Sequence, residues 1–506
     1  MTSSARITVD PAFAIGAVPR RMFGSFVEHM GRCVYTGIYE PGHPRADAEG
    51  FRQDVLELVR ELGVSVVRYP GGNFVSNYRW EDGVGPRENR PTRLDLAWHA
   101  VESNEFGLGE FMKWTRQAGV EPMLAVNLGT RGIQEAVDLL EYCNHPGGTR
   151  LSDDRIKDGD AEPYGIKLWC LGNEMDGPWQ VGHRTAHEYG RLAAETGAAM
   201  RRLDPSIELV ACGSSNRGMP TFGSWEATVL EHTYDVVDYI SMHNYYEPHG
   251  DDVDSFLASA VDMDAFIDEV VATADHIKAR VRSKKRLKVS FDEWNVWYQS
   301  RHDESPGEWA TAPHLIEDEY SVVDAVVVGS FLISLLSHSD RVAVACQAQL
   351  ANVIAPIRTD PGGAAWRQTI YHPFAQAAAF ARGTALRVEP ISPLIRTGAY
   401  GPVPAIHATA TYDEEHGAIA IFAVNRDRTH AVDLAADLRA FGTAHIVGHE
   451  TLHDADLTAT NTVQHPDRVV PRPGPHAKID SGRLAATLAP ASWNVIRLSL
   501  TEEYRR

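Results

Sequence analysis

Lys288-Val-Ser-Phe-Asp-Glu-Trp-Asn-Val-Trp-Tyr298 begins as a strand and ends in groups that strand interiors do not reward. Lys288 to Phe291 follows a basic helix end and carries the apolar and small residues of a short buried strand. It runs straight into Asp292 and Glu293, then into Trp294, Asn295, Trp297 and Tyr298. A carboxylate at a strand's C-terminal end, among aromatics, suits the binding and cleavage of a sugar. Rings cover the apolar sugar faces, and the carboxylate attacks or stabilises an electron-poor carbon. A single strand-end acid more often caps the next loop. Here a partner exists upstream: Gly165-Ile-Lys-Leu-Trp-Cys-Leu171 is another short apolar strand, and it ends in Gly172-Asn173-Glu174-Met175-Asp176-Gly177-Pro178-Trp179. Glycoside cleavage takes two carboxyl groups, one to protonate the leaving oxygen and one to attack the anomeric carbon or activate water. Two strand-end Glu residues meet that need if their strands share one parallel sheet.

The rest of the chain predicts such a sheet. Strand-like runs begin at Met22, Val64, Pro122, Gly165, Ile207, Val236, Leu287 and Arg341, and helical spacing follows them, as in Phe51 to Leu62 before Gly63. Strands alternating with helices imply parallel pairing, and eight units point to a closed (β/α)8 barrel over residues 18–383, an α/β fold. Glu174 then follows strand four and Glu293 strand seven. Glu28, Asn73, His243 to Tyr246, and Gln349 fall at the same end of other strands, where barrel enzymes place their chemistry. In Pro70-Gly71-Gly72-Asn73 the glycines let backbone approach a ligand, and Asn73 offers both donor and acceptor. An open doubly wound sheet is the alternative, but no Gly-x-Gly-x-x-Gly follows the first strand.

After Gly383 the texture changes to short alternating runs, Ile406 to Tyr412, Ala418 to Val424, Ala444 to Val447 and Val495 to Leu500. These predict an antiparallel β-sandwich over residues 384–506, with Pro466 to Pro475 as a loop inside it. The strand near Ile7, within residues 1–17, precedes the barrel and is expected to join the sandwich.

At 506 residues the chain exceeds one ordinary core, in keeping with two domains. A net charge of −20 opposes nucleic-acid binding, and the basic run Arg280 to Lys288 reads as a solvated helix end. Residues 1–20 lack a signal-peptide core, no run approaches a membrane span, and the five cysteines are scattered without a Cys-x-x-Cys pair. A reducing cytoplasm fits all three. His183 and His187 stand four apart on an expected helix, yet no Glu follows the first and no third ligand is near, so no metal site is expected.

Seven motifs taken together resemble glycoside hydrolase family 51, the intracellular α-L-arabinofuranosidases of a large clan of retaining barrel enzymes. They are Phe23-Gly-Ser-Phe-Val-Glu28, Arg68-Tyr-Pro-Gly-Gly-Asn-Phe-Val75, Trp80-Glu-Asp-Gly-Val-Gly-Pro86, Gly172-Asn-Glu-Met-Asp-Gly-Pro-Trp-Gln180, Ser241-Met-His-Asn-Tyr-Tyr246, Phe291-Asp-Glu-Trp-Asn-Val-Trp-Tyr298 and Ala348-Gln-Leu-Ala-Asn-Val-Ile-Ala-Pro356. They span most of the barrel, whereas the C-terminal part matches in β-texture only. The resemblance implies Glu174 as acid/base and Glu293 as nucleophile. It implies Glu28, Asn73, Asn173, Tyr245 and Gln349 as ligands of a terminal furanose, His243 and Trp297 as pocket lining, and Trp179 as a wall on the leaving-group side. It further implies an arabinose-containing oligo- or polysaccharide as substrate, no metal or organic cofactor, and commonly a homo-hexamer. Two stretches depart from the pattern, His243-Asn244-Tyr245 with its Asn and the loop Arg301 to Glu308, and both bear on the identity of the sugar and its leaving group. The rival readings are a β-xylosidase, a galactofuranosidase or an endo-glucanase on the same scaffold. A catalytically idle sugar-binding barrel has no need of the second carboxyl, and a metal-dependent barrel hydrolase lacks its His-x-His strand end.

Overall fold

Eight parallel strands close into a barrel in chain order: β1 (Gly24–Phe26), β2 (Val66–Tyr69), β3 (Glu121–Ala125), β4 (Leu168–Leu171), β5 (Glu208–Ala211), β6 (Tyr239–Tyr246), β7 (Lys288–Val296) and β8 (Val342–Ala348). The structure, a computed structural model, describes residues 3–302, 307–475 and 477–501. Parallel strands covered by helices are buried on both faces, so their sequences are nearly continuous apolar runs. Val66 to Tyr69 and Leu168 to Leu171 are buried at every position. Helices ring the barrel; Gln53–Leu62, for example, stops at Gly63, whose φ of 79° an L side chain rarely adopts.

Two strands are longer than their apolar runs predict. β7 continues through Asp292, Glu293, Trp294 and Asn295, and β6 continues through His243 to Tyr246, so these residues lie inside strands rather than beyond their ends. The reason is mutual pairing: His243 lies opposite Glu293, Asn244 opposite Trp294 and Tyr245 opposite Asn295. Backbone hydrogen bonding does not require apolar side chains when both partners supply polar ones to a barrel mouth. Register shifts between Ser241 and His243, and against β8 between Phe291 and Trp294, re-aim side chains at this level. Trp294 therefore faces the core, edge-on to Phe331 at 6.2 Å between ring centres, and is not part of the mouth.

The expected helix over Phe256 to Val281 is two, Val253–Leu257 and Ala260–Val281. The helix Ala186–Leu203 begins after His183, so His183 and His187 do not share it, and His187 instead lies 3.2 Å from His232. Of the loop Arg301 to Glu308, residues 303–306 lie outside the described residues.

Beyond the barrel, seven strands form one sheet and four another. Their facing side chains, among them Ile7, Ile421, Leu434, Leu484 and Ile496, make a second apolar core. The N-terminal strand Ser3–Thr8 joins this sandwich as the parallel neighbour of Val432–Asp437, and Ala14–Ala17 pairs with Thr384–Leu386. Within the Pro-rich stretch Arg472 and Pro473 pair with Thr451 and Glu450, so that loop contributes a short edge strand. The outer face of the larger sheet packs on the barrel. Trp493 is fully buried against Gly329 of the helix Val322–Ser337, where a Cβ would stand 2.5 Å from its ring, and its Nε1–H donates to Gln376 at 2.8 Å. Sandwiched between sheet and barrel, that helix is apolar on nearly every face.

Candidate active site

Arg68, at the C-terminal end of β2, organises the mouth. Its Nη1 donates to Glu293 Oε1 at 2.7 Å and its Nη2 to Asn173 Oδ1 at 2.7 Å, while its Nε lies 3.7 Å from Asp292 Oδ2. The guanidinium is buried, with the Phe26 ring 5.0 Å away. Burial disfavours its charge, but Asp292 and Glu293 overrule that and raise its proton affinity well above the ordinary arginine value. An arginine inside an otherwise apolar strand is thus paid for by carboxylates from the far side of the barrel.

Glu293, on β7, is gripped from both sides, since Tyr245 donates its hydroxyl to Oε2 at 2.7 Å. Glu174 stands on the loop after β4 with a φ of 43°, in the left-handed region, and Gly177 closes the turn onto its carbonyl. Trp179 donates Nε1–H to Glu174 Oε2 at 2.7 Å, and a Cβ at residue 177 would fall 2.5 Å from the Trp179 ring. The ring is half exposed, at 48%, and forms the outer wall beside Glu174. Asp176 anchors the same loop by accepting the Ser215 N–H at 3.1 Å.

His243 joins the two acids. Its Nδ1 is 2.9 Å from Glu174 Oε1 and 3.7 Å from Glu293 Oε2, and its Nε2 is 2.9 Å from Asp292 Oδ1. Burial works against a charged ring, but Glu293, Asp292 and Glu174 outweigh it and push the imidazole up to about 10. Asp292 moves the other way: burial raises it, yet Arg68 and His243 hold it below the usual carboxylate range. Glu174, His243 and Glu293 offer ligating atoms within 4.8 Å of one another, a spacing that a metal ion could use. A doubly protonated imidazole has no lone pair to give, so His243 can ligate a metal only after losing a proton.

A deeper pocket is built around Glu28, after β1. Its Oε1 accepts the Phe74 N–H and the Trp98 Nε1–H, each at 2.9 Å, and Gln349 Nε2 approaches Oε2 at 3.3 Å. Burial, then the charge of Glu293, pushes the Glu28 carboxyl up to about 8, against the Phe74 and Trp98 hydrogen bonds, which lower it. Gly71 and Gly72 bring the backbone against this carboxyl rather than against a ligand; a Cβ at residue 72 would lie 2.7 Å from Glu28 Oε2. Asn73 Oδ1 accepts from Asn173 Nδ2 at 3.2 Å, linking the second and fourth loops. Trp297 stands edge-on to Tyr245 at 5.1 Å, with its indole N–H finding no acceptor among the described residues.

Of the ten residues singled out in the sequence, Asn73, Asn173, Glu174, Trp179, His243, Tyr245, Glu293 and Trp297 are joined through Arg68 in one hydrogen-bonded and ring-packed cluster, and Glu28 and Gln349 form a second group with Trp98 at the same end of the barrel. Three further members were not singled out. Arg68 had a signal, a charge within an apolar strand. Asp292 had the same signal, masked by its neighbour Glu293. Trp98 had none, since it sits between the short strands Arg93–Asp95 and Ala100–Glu102, whose sequence shows no clear period.

Comparison with known proteins agrees with this geometry. Residues 58–266 match the α-L-arabinofuranosidase 1 domain and residues 292–492 the α-L-arabinofuranosidase C-terminal domain. The chain is 61% identical to an intracellular exo-α-(1→5)-L-arabinofuranosidase of Streptomyces lividans over 98% of its own length and 75% of that protein. It is 54% identical to the enzyme of the same name from Halalkalibacterium halodurans, over 98% and 99% of the two chains. A solved family 51 α-L-arabinofuranosidase from Bifidobacterium longum superposes with a TM-score of 0.95 at 49% identity, covering 98% of this chain and all of that one. A paired-carboxylate mouth on an eight-stranded barrel, with relatives matching along nearly the whole length, shows that the chain belongs to the α-L-arabinofuranosidases of glycoside hydrolase family 51.

Proposed function

We propose that this α-L-arabinofuranosidase is exo-acting and retaining, and that it releases terminal α-L-arabinofuranosyl units from the non-reducing ends of arabinan- or arabinoxylan-derived oligosaccharides. The observation that supports the mechanism is the approach of Glu174 and Glu293 on either side of His243 Nδ1, which brings one oxygen of each within 4.8 Å of the other. A retaining pair stands about 5–5.5 Å apart, whereas an inverting pair needs about 6.5–9.5 Å to admit a water. In this reading Arg68 and Tyr245 hold Glu293 aimed for attack, and Glu174 protonates the departing oxygen. Glu28, with Trp98 and Gln349 bonded to it, is read as the end wall of the sugar site, which suits removal of single terminal units over cleavage within a chain. Trp179, outside Glu174, is the surface for the departing saccharide. The relatives' names, intracellular and specific for (1→5) linkages, support cytoplasmic action on imported oligosaccharides. A panel of chromogenic pentofuranosides and pentopyranosides tests the sugar, and the anomer first released, read by NMR, tests the mechanism. Preference for a pyranoside, or an inverted product, would overturn the reading.

The amide oxygen of Asn173 accepts from Arg68, and its Nδ2 donates to Asn73 Oδ1 at 3.2 Å and, more weakly, to Gln180 Oε1 at 3.5 Å, a bond that a sugar hydroxyl can replace. An amide there can donate to the sugar 2-hydroxyl, a contact that strengthens as charge develops at the anomeric carbon. Asn173→Ala is expected to lower kcat about 100-fold with little change in ground-state binding. A raised KM with kcat intact would reduce Asn173 to a loop support.

Trp98 contributes one N–H to Glu28 and one wall of the pocket. Trp98→Phe keeps the wall and removes the donor. Its expected effect is a rise in KM of about tenfold, the cost of one unmade buried hydrogen bond. An unchanged KM would show that Trp98 acts by packing alone.

A further inference from the structure

Asp292 is buried beneath His243 and is screened from the pocket by it, yet the mouth's charges are arranged around it. Its Oδ1 meets His243 Nε2 at 2.9 Å, and its Oδ2 faces Cys170 Sγ and Arg68 Nε, each at 3.7 Å. Both nitrogens of the His243 ring thus point at carboxylates, Asp292 behind and Glu174 in front. Glu293 on β7 lies 3.7 Å from the ring, Arg68 on β2 stands behind Asp292, and the thiols of Cys170 on β4 and Cys212 just after β5 lie near Asp292 rather than the ring. Tyr245, two residues along on β6, faces Glu293.

We propose that Asp292 is a positioning residue that keeps His243 an imidazolium, so that the ring's Nδ1–H stabilises the Glu174 carboxylate formed as the leaving oxygen takes its proton. The inference rests on the reading of Glu174 as acid/base. In the first step the anomeric C–O bond breaks with its electron pair on the leaving oxygen, which receives the Glu174 proton, while a Glu293 oxygen bonds to the anomeric carbon. Glu174 is then an anion facing an N–H donor 2.9 Å away. In the second step a water oxygen bonds to that carbon, the ester pair returns to Glu293, and Glu174 takes the water's proton. His243 keeps both its protons throughout. Were the ring neutral, with its single N–H on Asp292, its bare Nδ1 would draw the Glu174 proton away from the leaving oxygen. Asp292 excludes that state by charge, not only by shape.

Asp292→Asn separates charge from shape, because its amide oxygen still accepts the Nε2–H. By ¹⁵N NMR of the histidine-labelled protein, the pH at which His243 loses one ring proton is expected to move down by roughly one to three units in Asp292→Asn. The loss of rate at neutral pH should be larger for poor leaving groups than for activated aryl glycosides. A merely structural role would lower the rate for both kinds of substrate and leave the His243 titration in place. In wild-type enzyme His243 should carry protons on both nitrogens at pH 7.5, a measurement that stands even if the variant does not fold. A neutral ring there, or a His243 titration unmoved in Asp292→Asn, would overturn the proposal. Neither outcome touches the leaving-group dependence of Glu174→Ala, so its failure is distinct from failure of the acid/base assignment.

Discussion

Glu293→Ala is expected to abolish turnover of every substrate, aryl glycosides with good leaving groups included, with a loss of about 10⁴- to 10⁶-fold. Glu293 accepts one hydrogen bond from the Arg68 guanidinium and one from the Tyr245 hydroxyl, both at 2.7 Å, so its carboxylate is held in one orientation. No neighbouring acid can take its place. Asp292 lies behind His243 with its oxygens committed to the imidazole, Cys170 and Arg68, and Glu28 is tied to Phe74 and Trp98. The fold should survive, because Arg68 retains Asp292 and Asn173 as partners. A small anion such as azide, supplied in the space left by the side chain, should restore some activity on aryl glycosides and yield the glycosyl azide of inverted configuration. Substantial unassisted turnover by the variant would show that Glu293 is not the nucleophile.

Glu174→Ala is expected to divide substrates by leaving group. Oligosaccharides, whose departing alkoxide needs a proton, should slow by about 10²- to 10⁴-fold, the range of general acid catalysis. Activated aryl glycosides need little protonation, so their first step should proceed and the glycosyl-enzyme should accumulate, since the base for the second step is gone. A burst of phenol followed by slow turnover, with an intact mass increment of one pentosyl unit on the protein, is the result that checks this. Equal losses for both kinds of substrate would mean that Glu174 serves the structure of the mouth rather than proton transfer. Its geometry argues for proton transfer, because Trp179 and His243 engage one oxygen each while the carboxyl still borders the pocket.

The barrel and the position of the two acids were legible before any coordinates. Burial on both faces of a parallel sheet demands unbroken apolar runs, so Val64 to Tyr69 or Gly165 to Leu171 records its own environment locally. Glu174 and Glu293 stand out because they follow such runs, and the sandwich is equally visible in the alternation of strands such as Ile406–Asp413 and Ala418–Asn425. What ends an apolar run, however, need not end a strand. That β6 and β7 carry on through His243 and Glu293 depends on each finding the other as a hydrogen-bonding neighbour, a property of the pair and not of either sequence.

The partnerships within the mouth were decided by tertiary structure alone. Arg68 meets Glu293 across 225 residues of chain, Gln349 approaches Glu28 across 321, and Trp98 reaches Glu28 from an irregular loop. Hydrophobic periodicity reports how deeply a residue is buried, whereas the worth of a buried charge depends on which opposite charge or donor shares its cavity. The chain by itself determined that two carboxylates stand at one end of an eight-stranded barrel. Which donors orient one of them, which imidazole faces the other, and which acid lies behind that imidazole follow only from closing the barrel, because closure is what brings β2, β4, β6 and β7 around one small volume from which bulk water is largely excluded.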